Sequence, residues 1–433
     1  MITQKKIAWS LAGNLVDVAI GFGTVMLITR LYDEKVAGQW FVFVAIFSLL
    51  TNLREGFVQN GLVKYSVGNS EAERLKVYKT NLVSNLLFEL VMSTLVVGLF
   101  TLFNWYDLKE LFWYYPLYSV PFSIYRWIFV VHRSQLRVEK STLMNALFLG
   151  VLSIGAGLMY TRQLPLPTMV FTLGAASTVA AVAGLFSFDV RAVWQVPFDR
   201  AMFRLLFHYG KHGILRELTG TVSTRINIFL TAGMLSYTQT AYLGVAQRYV
   251  MLLLIPNNAF QAILYPVLVK IALQKDEKLL KEEFEKQVSK LLSMTTLVAI
   301  AIIITSPFII DTLHGANYRP ALGLLIISLI TVALFTPFGS AFGSVVNALE
   351  KPTINSRIVI VNSAINITLS YVLICYVGLY GAVMAPFITE LFGFLWTSRI
   401  IKTQAGIHYG DCFRSIPHHY GQWIKKLKLA IIS

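Results

Sequence analysis

The sequence predicts an all-α polytopic membrane protein of about twelve transmembrane helices, in two six-helix bundles around a central cavity. Three observations carry this. Of 433 residues, 56% are hydrophobic and only 14% charged, whereas a soluble domain carries about 25% charged residues. The apolar residues fall in blocks of about 20 or more, the length that crosses a hydrocarbon core. The basic residues are spread unevenly over alternate connecting segments.

Twelve spans are expected, at 7–30, 37–63, 80–104, 112–132, 142–161, 168–188, 209–234, 240–269, 291–312, 320–348, 354–376 and 381–401. With the N-terminus inside, 27 of the 37 Lys and Arg fall in cytoplasmic segments. Only Arg30, Lys35, Lys109, Arg162 and Arg319 fall outside. This positive-inside bias places both termini in the cytoplasm. The net charge of +15 is therefore topology and not a nucleic-acid footprint. Lys5 and Lys6 precede an apolar run, as in a signal peptide. That run is too long, contains Asp17 and lacks a small-residue cleavage site, so it reads as a retained first helix. Cys375 and Cys412 indicate no disulfide framework, and no Cys/His cluster has metal-ligand spacing.

Taken in order, the spans carry polar seams at helical spacing. The first has Ser10, Asn14, Asp17, Gly21 and Thr24 on one face. The second has Asn52, Glu55 and Gln59; the third Asn81, Asn85 and Glu89. The fourth has Ser119, Ser123, Arg126 and Arg133. The seventh has Arg216, Gly220, Ser223 and Asn227. The eighth has Gln247, Asn258 and Gln261, and the eleventh Asn355, Asn362 and Asn366. Any single Asn or Ser can serve as helix–helix glue. Asn14, Asn52, Gln59, Asn258 and Asn362 are expected to line a polar interior.

The ionisable residues say more. Arg54, Arg126, Arg216, Arg225 and Arg248 sit inside spans, with Asp17, Glu55, Glu89, Glu217 and Glu390. Each such group costs about 2.5–3.5 kcal/mol at a helix centre. Arg54 lies ten residues before Lys64, about 15 Å deep at 1.5 Å per residue, too far to snorkel. Arg126 is near His132 and Arg133, so snorkelling is a rival reading there. Adjacent pairs such as Arg54–Glu55 and Arg216–Glu217 point about 100° apart, so any ion pair must cross helices. The arginine fork suits a phosphate oxyanion. Asp17, Glu89 and Glu390 are candidates for a coupling ion, because burial favours a protonated carboxyl and a nearby Arg favours the carboxylate.

The connections organise the chain as an N-terminal half, 1–190, a cytoplasmic linker, 191–208, a C-terminal half, 209–402, and a cytoplasmic tail, 403–433. The linker carries Arg191, Arg200 and Arg204 beside Trp194, Phe198 and Phe203. It reads as an interfacial helix, with anionic-lipid gathering as a second reading. The second and eighth spans share polar groups two-thirds along and end at Lys64 and Lys270, which suggests repeats. Residues 270–290 predict a solvated cytoplasmic helix with an apolar stripe. Pro256, Pro266, Pro337 and Pro386 lie within spans, as gating kinks or static curvature.

Three stretches carry a family resemblance: KKIAWSLAGNLVDVAIGFGTVMLITRLYDEKVAGQWFVF from Lys5, DTLHGANYRPALGLLIISLI (311–330) and VGLYGAVMAPFITELFGF (377–394). Together they resemble the polysaccharide flippases of the MATE-like multidrug/oligosaccharidyl-lipid/polysaccharide exporter superfamily. The resemblance runs over nearly the whole chain. It implies an inner-membrane protein that moves an undecaprenyl-pyrophosphate-linked oligosaccharide from the cytoplasmic to the periplasmic leaflet. It implies a cationic cavity, coupling to H+ or Na+, no other cofactor, and membrane lipids, a polysaccharide polymerase and a chain-length regulator as partners, but no nucleic acid. The five arginines would supply that cavity.

Rival readings are weaker. A drug/cation antiporter of the same superfamily would need an anionic cavity. A lipid II flippase would have two more helices. A major-facilitator carrier would have a Gly-Asp-Arg motif where this chain reads KYSVGNSEAERLK. A membrane glycosyltransferase would need a large outer loop, and the outer loops are short, so no enzymatic activity is expected.

Overall fold

The computed structural model describes residues 4–66, 70–103, 106–187, 190–274, 276–417 and 419–421. They form fifteen α-helices and two 3-10 turns: α1 (Gln4–Leu31), α2 (Glu34–Ser66), α3 (Glu71–Leu102), α4 (Tyr106–Trp113), α5 (Tyr115–Ser134), α6 (Val138–Arg162), α7 (Pro167–Phe186), α8 (Val190–Gln195), α9 (Arg200–Met234), α10 (Tyr237–Leu273), α11 (Glu277–Leu313), α12 (Ala321–Ala348), α13 (Pro352–Val377), α14 (Gly381–Ala405) and α15 (Tyr409–Arg414). All the helices except α4, α8 and α15 have 20 or more residues, and each of these long helices holds one of the twelve expected spans. In lipid a helix satisfies its own backbone, which is why apolar blocks of this length settle as helices.

Nine helical stretches among the described residues are long and apolar enough to cross a membrane, one of them running through α13 and α14. The long helices outside that set are α5 and α9. α5 carries Arg126 and Arg133, and α9 carries Arg200, Arg204, Lys211, Arg216 and Arg225.

Helix starts follow local chemistry. Ser70, Ser236 and Asp276 accept the N–H of Glu73, Gln239 and Leu279, as N-caps do. Gly406 ends α14 in the left-handed region, at φ 64°. The helices continue through Pro256, Pro266, Pro337 and Pro386.

The chain divides into two compact units, Met1–Arg225 and Ile226–Ser433. The division falls inside α9, later than the expected linker at 191–208. The reason is packing. Lys79 sits 3.4 Å from the ring of Trp194, and the Asp199 N–H donates to Thr80 Oγ1. Phe207 meets Phe57 edge-on and Tyr209 meets Tyr65. Gly56 of α2 and Gly213 of α9 touch through their backbones, leaving no room for a Cβ on either. Small residues allow such close approach where lipid supplies no hydrophobic drive. The chain from α8 through the first half of α9 therefore belongs to the first unit. The rest of that unit pairs α1 with α6, α5 with α7, and α3 with both α2 and α5.

In the second unit α12 packs on α10, α11 and α14. Its core includes Leu268, Phe284, Val288, Phe338, Phe342 and Tyr409. The start of α11 is thus not wholly solvated as expected: Leu280, Phe284 and Val288 are buried. Ser289 Oγ donates to the Cys412 carbonyl, 2.7 Å, and the Tyr420 hydroxyl to the Ser293 carbonyl, 3.0 Å. The beginning of the expected tail is folded back on α11; residues 422–433 lie outside the described residues. Burial there pushes the Cys412 thiol up to about 12.

Two expected outcomes test this packing. Gly213→Ala should lower stability by about 1–3 kcal/mol, the cost of overpacking, whereas Gly220→Ala, with open space around it, should be neutral or stabilising. Thermal unfolding in detergent separates them. Cys412, buried and protonated, should resist maleimide at pH 8 in folded protein and react after denaturation, as read by intact mass on a Cys375→Ser background.

Candidate functional site

Adjacent residues on α2 start the site. Arg54 and Glu55 point in different directions, so each finds its partner on a different helix. Arg54 Nη1 donates to Glu89 Oε2 of α3 at 2.5 Å, with side chains only 2% and 4% exposed. Glu89 Oε1 also accepts from Ser93 Oγ, which meets Ser119 Oγ of α5. The Arg54 guanidinium lies 6.0 Å from the Phe122 ring. Glu55 takes a two-pronged bond from Arg126 of α5, Nε to Oε1 at 2.8 Å and Nη2 to Oε2 at 3.3 Å. This second pair is more open, at 21% and 26% exposed. Both pairs cross helices, as the sequence geometry requires.

Neutral groups complete the walls. Asn81 Nδ2 donates to the Val58 carbonyl and its Oδ1 accepts from Trp127 Nε1. Asn85 Nδ2 donates to the Ser123 carbonyl. Asn52 Nδ2 reaches Thr221 Oγ1 on α9, 3.0 Å. Arg54, Glu55, Gln59, Asn85, Arg126 and Trp127 are among the residues that line a small pocket of about 10 Å³, roughly the room of one water molecule. Arg54 Nη2 is buried there without a hydrogen-bond partner among the described residues. A spare charged donor beside amides suits an oxygen-rich, anionic ligand.

Of the residues singled out from sequence, Arg54, Arg126, Glu89 and Gln59 come together here, with Asn52 one turn away. Asp17 is on α1, where its Oδ1 accepts from Asn145 Nδ2 at 2.8 Å. Asn145 Oδ1 in turn accepts from the Tyr125 hydroxyl. Asn14 is exposed. The Arg216 side chain lies outside the described residues. Arg225 is half-buried. In the second unit Arg248 Nη1 contacts Met251 Sδ at 3.2 Å. Asn258 is exposed, and its neighbour Asn257 takes the bonded position: Ser340 Oγ donates to Asn257 Oδ1, and Gln261 bonds Ser340 and Ser344. Asn362 lies against Gly393, and Glu390 is half-buried. Trp127, Asn145 and Thr221 escaped the sequence reading. Trp127 stands four residues after Ser123, so the seam itself signalled it; Asn145 and Thr221 carried no such signal. No group of three metal-ligating side chains gathers among the described residues.

The helices define a multi-pass membrane protein. Residues 36–322 match the sequence profile of a family described as polysaccharide biosynthesis protein, and the chain belongs to that family. A curated relative, a probable low-salt glycan biosynthesis flippase (Agl15) of Haloferax volcanii, is 20% identical over 293 residues, which is 67% of this chain. The match spans 59% of that relative's length. The fold is similar to the lipid II flippase MurJ in an inward closed conformation, with a TM-score of 0.76 at 15% identity over 95% of this chain and 90% of that one. It is also similar to an inward-facing multidrug resistance MATE family transporter of the MOP superfamily, with a TM-score of 0.72 at 16% identity over 90% of this chain and 95% of that one.

The ion pair makes a testable demand. Glu89→Ala strands the Arg54 charge and should cost about 3–5 kcal/mol, whereas the double change Arg54→Met with Glu89→Met should recover most of it. Unfolding temperatures of the three proteins in one detergent provide the check; equal losses in single and double variants would contradict it.

Proposed function

We propose that the protein flips a lipid-linked oligosaccharide across the membrane for surface polysaccharide or glycan biosynthesis. The observation that carries this is a pair of arginines, Arg54 and Arg126, gathered with the amides of Gln59 and Asn85 around a small pocket inside an apolar helical bundle. A lipid-linked sugar has an anionic pyrophosphate, a hydroxyl-rich glycan and a tail that can stay in lipid. The arginine forks suit the first and the amides of Gln59 and Asn85 suit the second. We take the carrier to be undecaprenyl pyrophosphate, moved from the cytoplasmic to the outer leaflet of a bacterial inner membrane, with both chain termini cytoplasmic. A polymerase and a chain-length regulator would act on the product.

Coupling follows from partner exchange. A pyrophosphate that takes the donors of Arg54 releases Glu89 from its counter-ion. A bare carboxylate at that depth takes up a proton or Na+, so substrate and ion would load together. Asp17 and Glu390 are further candidates for that ion. A drug/cation antiporter is the alternative. It is disfavoured because each carboxylate in this pocket is matched by an arginine, leaving no anionic excess for a cationic drug.

Deleting the gene and analysing lipid-linked glycans by mass spectrometry tests the proposal. The expected result is accumulation of an undecaprenyl-pyrophosphate oligosaccharide in the cytoplasmic leaflet. Normal glycan export with altered drug sensitivity would overturn it. In the complemented strain, Arg54→Ala, Arg216→Ala or Arg248→Ala should each cut export more than about tenfold, roughly 1.4 kcal/mol or more, while membrane levels measured by immunoblot remain detectable.

A further inference from the structure

Arg133 closes α5 seven residues after Arg126, on the same face. Phe129 stands between them. The Arg126 guanidinium lies 5.0 Å from the centroid of that ring and the Arg133 guanidinium 4.6 Å, so two cations share one aromatic side chain. The next step inward repeats the theme, with Arg54 beside Phe122.

The three arginines differ in how they are compensated. Arg54 is buried and held by Glu89. Arg126 is partly open and held by Glu55 through two hydrogen bonds. Arg133 is exposed and, among the described residues, makes no hydrogen bond or ion pair. The carboxylate of Asp17 is within electrostatic reach of Arg126 and Arg133, but its hydrogen bond is to Asn145. Solvent access falls and carboxylate pairing tightens from Arg133 to Arg126 to Arg54.

We propose that Arg133 and Arg126, bridged by Phe129, form the first docking subsite for the pyrophosphate of the lipid-linked substrate, ahead of the pocket at Arg54. This rests on the flippase reading above. Arg133 is the most exposed of the three and breaks no ion pair when it meets an anion, so it is the cheapest to engage. The Phe129 ring limits the freedom of both guanidiniums, so less entropy is lost on binding. Glu55 and Asp17 keep the subsite from being a trap: an anion gains on Arg133 but competes for Arg126, and can pass inward. A lone snorkelling arginine at a helix end would show no selectivity for a phosphate count.

The test uses the full chain in nanodiscs of zwitterionic lipid, with undecaprenyl pyrophosphate, undecaprenyl phosphate and undecaprenol as probes and binding read by native mass spectrometry. Wild type should prefer the pyrophosphate over the alcohol by about tenfold or more. Arg133→Gln should erase most of that preference without changing alcohol binding, Arg133→Lys should keep part of it, and Asp17→Asn should strengthen pyrophosphate binding. Retained selectivity in Arg133→Gln, with wild type selective, would overturn the subsite and leave the flippase reading intact. Equal weakening of alcohol and pyrophosphate would also overturn it, as a general structural effect. Wild type indifferent to the pyrophosphate would sink the flippase reading and the subsite with it. Arg133 is exposed, so the variants should fold; size-exclusion profiles matching wild type verify this.

Discussion

The ion pair between Arg54 and Glu89 sets the terms for the first unit. Neither group can be left bare inside a helical bundle that packs apolar surface outward, because an uncompensated charge there costs several kcal/mol. Each is therefore committed to the other at 2.5 Å, and that commitment ties α2 to α3. Glu55, on the next position of α2, is turned toward α5 and binds Arg126. One dipeptide thus cross-links three helices. The amide bonds of Asn81 and Asn85, to the Val58 and Ser123 carbonyls, lie along the same seam. The Gly56–Gly213 contact holds α9 against the back of α2.

Such an arrangement is stable at rest and exchangeable under load. A buried salt bridge roughly breaks even against its own desolvation, so a competing anion need not pay the whole strength of the bond to replace one partner. Arg54 Nη2, buried without a hydrogen-bond partner among the described residues, is the donor the proposed anion would meet first. The graded exposure from Arg133 to Arg54 supplies a direction of approach. On the proposed flippase reading, binding, ion uptake and passage would all follow from one electrostatic rule applied at successive depths.

The helices were legible because lipid simplifies the physics: about 20 apolar residues fold one way only, and all twelve long helices fall on expected spans. Glu89, Arg126 and Gln59 were legible as members of seams at helical spacing, and Arg54 as a cation too deep in its span to snorkel. Asn257 and Asn258 are equally plausible by period, and only the position of Ser340 on α12 decides that Asn257 takes the interhelical hydrogen bond while Asn258 stays exposed. Asn145 and Thr221 matter through Asp17 and Asn52, far away in sequence, and only the packing of α6 on α1 and of α9 on α2 brings those partners together. The 191–208 stretch looked like a linker by composition, yet the Lys79–Trp194 contact and the Asp199–Thr80 bond dock its first part on α3.

Composition and periodicity were enough to establish a multi-pass helical bundle, the number of its long helices, and which faces had to be polar, because those features follow from local burial and a fixed turn of about 100° per residue. Which arginine meets which carboxylate, and which stays open, depended on helix packing. Charge pairing acts across helices at a few ångströms, and no one-dimensional spacing specifies which turns of α2, α3 and α5 lie opposite one another.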